Sequence, residues 1–214
     1  MPVNASAAGR DASRPWRAAL GGGAAIHQLP QTSVALTATI YNFDVQLSDV
    51  DRNVYAAFAI RAARQPSETA EYLLTRVLAY CLEYGEGIAF SRGLAEPDEP
   101  PLAIRDLTGA LQTWIEIGAP DAGRVHKASK ASPRVVVYTH KDAALLVRQL
   151  SSERIHRAGA VEIYAVDRAL LAELATRLER RMVFELAVTN RHLYLTLGGV
   201  TLDGVLTPYV LTAP

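Results

Sequence analysis

Two charged residues in one short segment give the first chemical hint in this sequence. Residues 111–127 read LQTWIEIGAPDAGRVHK, a pattern that predicts a buried strand, a Gly-Ala-Pro turn and a short helix. It puts a carboxylate, Glu116, at the end of the strand and an ammonium, Lys127, on the helix that follows. A carboxylate is a hard oxygen donor suited to Mg²⁺. A long, flexible lysine stem lets an amine reach back toward it. Arg124 and Lys130 on the same helix are placed to meet a phosphate backbone, a contact that positions a polyanion without reading its sequence. The plain alternatives are a solvated basic helix face and a structural Glu–Lys pair.

More acids lie upstream. Residues 95–101 read AEPDEPP, an acidic loop stiffened by prolines. Adjacent carboxylates held in this way can serve as a pre-set metal ligand or simply line a solvated loop. Pro66-Ser67 predicts the start of a helix with Ser67 as its N-cap, and Glu68 in the first turn offsets the helix dipole. Glu71, Leu74, Leu78 and Cys81 then share a face at helical spacing. A carboxylate beside that apolar stripe needs a partner. A site role for Glu71 and an ion pair with Arg76 are both consistent with the spacing.

Much other chemistry is absent from the sequence. The five histidines have no helical-turn spacing for a zinc pair. No nucleophile elbow or dinucleotide fingerprint occurs, and Gly21-Gly22-Gly23 lacks the Gly-Lys-Ser/Thr of a phosphate loop. The single cysteine rules out an internal disulfide framework and fits a reducing, cytoplasmic setting. Its place on the helix's apolar stripe predicts a buried thiol. Lys+Arg and Asp+Glu balance at 22 each, so nucleic-acid binding would need a local basic patch. No apolar run approaches membrane-spanning length.

The elements that must position these groups follow from patterning. Residues 1–33 are rich in Ala, Gly, Ser and Arg without a sustained period and read as a disordered or weakly ordered extension. Val34 can be read as a natural start encoded by a GUG codon, with the preceding residues a gene-calling artefact. From residue 34 onward the chain suits a single domain. Residues 36–47 and 54–63 predict a β-hairpin about a polar turn. Short strands are expected at 88–90, 102–107 and 111–117. A helix opening on Pro120 should run to about Ser129, followed by a buried strand at 133–140. A helix over 143–154 should pack through Ala144, Leu145, Val147 and Leu150. A strand at 161–166, a helix capped by Asp167, a hairpin over 182–197 and a last strand at 200–206 complete the chain. This order predicts a mixed α/β sheet.

Several segments together resemble the YaeQ family of bacterial proteins: LTATIY at 36–41, DVDRN at 49–53, ARQPSETAEYLLTRVLAY at 63–80, RGL at 92–94, DEP at 98–100, WIEIGAPD at 114–121, Lys127-Ala128, and RVVVYT at 134–139. The similarity runs from about residue 34 to the C-terminus. The resemblance implies a mixed β-sheet with an αβββαβ PD-(D/E)XK nuclease-like core, extended by N- and C-terminal β-hairpins. It also implies Asp98 and Glu116 as acids binding Mg²⁺, or Mn²⁺ in its place, and Glu68 or Glu71 as an auxiliary acid. Where that fold's usual lysine stands two residues past the second acid, this chain has Gly118, and Lys127 is the substitute. Pro97, Pro101, Ala103 and Ala122-Gly123 also depart from the family pattern. The implied function is metal-dependent hydrolysis of phosphodiesters, with nucleic acid met through Arg124, Lys127 and Lys130. The alternative is a catalytically inactive nuclease-fold protein that binds nucleic acid or protein.

Overall fold

The computed structural model describes residues 38–91 and 99–211. The extension at 1–33 and the loop carrying Asp98 lie outside the described residues. Among the described residues, ten strands form one mixed sheet in the order β2-β1-β8-β9-β10-β7-β6-β5-β4-β3. The expected N-terminal hairpin is β1 (Thr39–Asp49) and β2 (Val54–Arg64), antiparallel along its whole length. Asp49, expected in the turn, is the last residue of β1; its carboxylate is buried against Arg52 at 2.7 Å.

Next come α1 (Ala70–Leu82), β3 (Ile88–Phe90), β4 (Leu102–Arg105), β5 (Leu111–Ile117), α2 (Ala122–Ala131) and β6 (Arg134–Thr139). The chain continues through α3 (Ala143–Ser151), β7 (Val161–Val166), α4 (Arg168–Thr176), β8 (Arg181–Thr189), β9 (His192–Leu197) and β10 (Val200–Val210). β3, β4 and β5 pair antiparallel, whereas β5, β6 and β7 run parallel. The parallel strands are covered on both faces, which is why their sequences are nearly continuous in apolar residues. Alternation sends Ile115, Ile117, Val136 and Tyr138 into the cluster that includes α1 and α4. It sends Trp114, Val135 and Val137 into a second cluster with α2 and α3.

The helix starts differ from expectation at two places. Thr69, not Ser67, caps α1, its hydroxyl accepting from Tyr72 N. Glu68 therefore lies before the helix rather than in its first turn. It closes a preceding turn, with Oε2 accepting from Gln65 N at 2.9 Å. Asp121 caps α2 by accepting from Arg124 N at 2.8 Å, which leaves Pro120 outside the helix. α3 starts at Ala143 as expected, capped by Asp142, but its buried face is Ala143, Leu146 and Leu150, leaving Leu145 exposed. Asp167 caps α4 as expected, accepting from Ala169 N and Leu170 N. The Cys81 thiol is fully buried, and desolvation pushes its pKa up.

Candidate functional site

Glu116 is the penultimate residue of β5, on the face toward α2. Its side chain is only 3% exposed. Covering comes from α2 on one side and neighbouring strands on the other. A carboxylate at this depth requires donors, and two converge on its Oε1. Trp114 Nε1 donates at 2.6 Å and Arg124 Nε pairs at 2.6 Å. Trp114 shares the face of Glu116 because it stands two residues earlier on the strand. Burial pushes the Glu116 carboxyl above its ordinary value, against the hydrogen bond from Trp114 and the charge of Arg124.

Arg124 sits in the first turn of α2, placed there by the Asp121 cap. Its guanidinium also lies over the Trp114 ring at 5.8 Å and donates to Glu99 O at 2.8 Å. It thus ties β5, α2 and the chain just after residues 92–98 into one unit. Arg124 is the cation that meets Glu116; Lys127 stands about one turn further along α2 and is exposed. Lys130 is exposed as well, while the intervening Val125 and Ala128 are buried.

The two acids expected from the α1 region have different settings. Glu68, not Glu71, is the partner of Arg76, at 3.4 Å. Burial raises the Glu68 pKa, and Arg76 works against that rise. Arg76 is buried within α1, donates through Nη2 to Ala63 O and lies over the rings of Tyr72 and Phe90. Glu71 occupies the first turn of α1 and is only partly covered. Its pKa is lowered by the α1 N-terminal backbone and the Thr69 hydroxyl, with His140 and Lys141 contributing charge.

Gly118 ends β5 with φ +89°, a conformation that favours glycine. Its N–H donates to Tyr138 O at 2.8 Å. A Cβ here would lie 3.5 Å from His140 Cε1 and 3.7 Å from the Tyr72 ring. The space beyond Glu116 is thus bounded by an imidazole and a phenol. Their rings meet edge-on at 6.0 Å. Burial and Lys141 depress the His140 pKa to about 4, and its Nδ1 has no hydrogen-bond partner among the described residues. Neither Tyr72 nor His140 stood out in the sequence, because each is brought to Gly118 by tertiary packing. No group of three or more His, Cys, Asp or Glu side chains arranged for a metal occurs among the described residues. Asp98 lies outside them.

The fold and this strand-end carboxylate define a mixed α/β protein with a buried, arginine-paired acid at the carboxyl edge of its parallel strands. The sequence model of the YaeQ protein family matches residues 34–204, and the chain belongs to that family. It is 30% identical over 164 residues to the uncharacterized protein YaeQ of Escherichia coli K12, covering 76% of this chain and 91% of that one. The Salmonella typhi YaeQ is 31% identical over the same length. The crystal structure of YaeQ from Pseudomonas syringae superposes with a TM-score of 0.74 at 30% identity, over 83% of this chain and 97% of that one. YaeQ from Xanthomonas axonopodis pv. citri gives 0.67 at 31% identity, over 83% and 100%. Among the described residues, no helix is long and apolar enough to cross a membrane.

Proposed function

We propose that this chain is a Mg²⁺-dependent phosphodiesterase of the PD-(D/E)XK nuclease-like kind, acting on nucleic acid in the cytoplasm. The observation that carries this reading is the position of Glu116. It is buried at the end of β5, within the succession α1-β3-β4-β5-α2-β6, and faces a helix carrying Arg124, Lys127 and Lys130. That succession is the αβββαβ order of the fold.

A hard cation suits the donors at hand. Trp114 and Arg124 meet Glu116 at Oε1, and the reading assigns Oε2 to the ion. Mg²⁺ needs only one or two carboxylates and keeps several waters. Asp98 is the proposed second ligand, with Mn²⁺ as a substitute ion. When bound, the ion supplies charge neutralisation at the phosphorus and acidifies a water. The chain's own residues do the rest. Lys127 orients the attacking water and offsets charge on the phosphoryl oxygens. Arg124 and Lys130 hold the phosphate backbone. Glu71 serves as the auxiliary acid, since Glu68 is already engaged by Arg76 and Gln65.

The test is hydrolysis of single- and double-stranded DNA and RNA with millimolar Mg²⁺ or Mn²⁺, run beside thermal unfolding. A ligand that binds only the folded state raises the melting temperature with its concentration. The proposal expects turnover and a metal-dependent rise, both lost in Glu116→Gln. Absence of both in the native protein refutes it. A second reading, a binding module that keeps the fold without the reaction, is favoured by Gly118 in the usual lysine position and by Arg124 already neutralising Glu116. It expects nucleic-acid or protein binding that is indifferent to chelator, and no cleavage.

A further inference from the structure

A cavity of about 360 Å³ lies at the other end of the central strands, beside the amino end of β6 and the C-terminal end of α1. Its lining brings together three arginines from three separate elements, Arg52 in the β1–β2 turn, Arg134 opening β6 and Arg191 in the β8–β9 turn, with the acids Asp49, Asp51 and Glu83. Its volume falls within the ordinary range for small-molecule sites.

Each arginine is held by acids in a particular way. Arg52 Nε meets Asp49 at 2.7 Å; the arginine side chain is 34% exposed and the aspartate 2%. Arg134 makes a two-sided clasp, Nη1 to Glu83 at 2.6 Å and Nε to Glu162 at 2.7 Å. The Arg134 side chain is 38% exposed and Glu83 only 7%, while Glu162 is 35% exposed. Asp49 and Glu83 are thus buried beside the guanidiniums they orient, and both reach the cavity wall. Burial works against the Arg134 charge, but the hydrogen bonds to Glu162 and Glu83 outweigh it and hold the group firmly cationic. Arg52 also donates to Tyr84 O and Cys81 O at 3.3 Å each, and Arg134 Nη2 to both Glu83 and Glu162, so of the three arginines Arg191 is the one whose guanidinium has no hydrogen-bond or ion-pair partner among the described residues.

Arg191 completes the set. Asn190 and Arg191 both adopt left-handed backbone, φ 51° and 60°. Asp51 fixes this turn across the molecule, accepting from Asn190 N at 2.6 Å and Arg191 N at 2.8 Å. The backbone of Arg191 is thus anchored, while its side chain is exposed and makes no hydrogen bond or ion pair among the described residues. The wall beside it includes Tyr138 and Tyr164, stacked with centroids 5.5 Å apart. Their hydroxyls donate to Glu83 and Glu162 at 2.8 and 3.1 Å, which leaves ring surface as their contribution to a guest.

We propose that this cavity binds a small phosphorylated molecule, its phosphate on Arg191, Arg52 and Arg134 and its apolar or aromatic part against Tyr164. Planar guanidinium forks match phosphate oxygens. The DVDRN turn supplies Asp49, Asp51 and Arg52 together, so one short segment builds the anion end of the site. The assignment is independent of the hydrolase reading, because the cavity contains none of the residues invoked there.

The test measures thermal unfolding and calorimetric binding of the full chain with inorganic phosphate, phenyl phosphate and citrate at constant ionic strength. Arg191→Asn serves as the binding variant, since asparagine tolerates the left-handed turn. Arg181→Asn, on an exposed strand position, is the control for loss of charge. The expected result is saturable binding of phenyl phosphate, tighter than inorganic phosphate, at least tenfold weaker in Arg191→Asn and unchanged in Arg181→Asn. No saturable binding, equal weakening in the two variants, or a preference for citrate overturns the assignment.

Discussion

Removing Arg124 should expose how the protein keeps a carboxylate at the end of β5. The Glu116 side chain is 3% exposed and that of Arg124 24%, so Arg124→Met leaves an acid with little water around it. Breaking a buried pair by deleting one partner costs about 3–5 kcal/mol. The partial exposure of Arg124 places this case near the lower end, about 3 kcal/mol at pH 8. Trp114 Nε1 still donates to Glu116, but the loss of the cation drives the carboxyl pKa further upward. The sign follows from linkage. A carboxyl whose folded pKa is raised contributes stability that is present below the unfolded value, 4.5 here, and lost as pH rises through the folded value. The variant should therefore be least stable at pH 8 and recover part of the loss as the pH is lowered to 5, toward protonation of Glu116. Glu116→Gln in the same background removes the charge, and the remaining cost of Arg124→Met should fall to about 1 kcal/mol, from its contacts with Trp114 and Glu99. Urea unfolding of the four proteins at both pH values gives the coupling energy directly. A coupling below about 0.5 kcal/mol at pH 8, or a loss that does not change between pH 8 and 5, would refute the account of Glu116 as a charge held by Arg124.

Other perturbations test other parts of the structure. His140 has its pKa depressed from 6.5 to about 4 by burial, so native stability should fall as pH drops through that window, by up to roughly 3 kcal/mol if the full shift applies. His140→Gln should flatten this part of the pH–stability curve, and parallel curves for the two proteins would rule it out. At Gly204 an added Cβ would lie 2.7 Å from Asp167 Cβ and 2.9 Å from Leu170 Cβ, so Gly204→Ala should cost about 1–3 kcal/mol in chemical denaturation by forcing α4 off the sheet. Trp114→Phe keeps the ring's bulk but removes the donor to Glu116; a loss of about 1–3 kcal/mol is expected, and a neutral result would show that Arg124 alone satisfies the acid.

The segments that declared themselves in the sequence were those whose own residues decide their structure. Residues 111–117 and 134–139 are apolar on both faces and became the buried parallel strands β5 and β6. The alanine-rich run at 54–63 has weak β-composition, yet it forms β2 because β1 pairs with it along its whole length. What was hidden depended on choices between close alternatives. Ser67 and Thr69 are both capable caps. Thr69 wins because Glu68 is drawn back to Gln65 and Arg76. On α2, the sequence suggested Lys127 as the cation reaching back to Glu116, whereas the structure brings Arg124 to it. The Asp121 cap sets the start of the helix and points Arg124 inward. The depth of Glu116 and the approach of Tyr72 and His140 to Gly118 depend on how helices pack on the sheet, which no local pattern encodes.

The pairing of β1 with β8 has a consequence for how the chain is made. The N-terminal hairpin leaves the ribosome early, but the strand that covers its inner edge lies at 181–188, and the Asp51 contact to Asn190 spans 139 residues. At typical translation speeds of about 5–20 residues per second, β1 waits roughly 10–30 seconds with unpaired amides and an apolar face of Phe43, Val45 and Leu47. Newborn chains should therefore depend on chaperone protection of this hairpin until the last third of the polypeptide is complete.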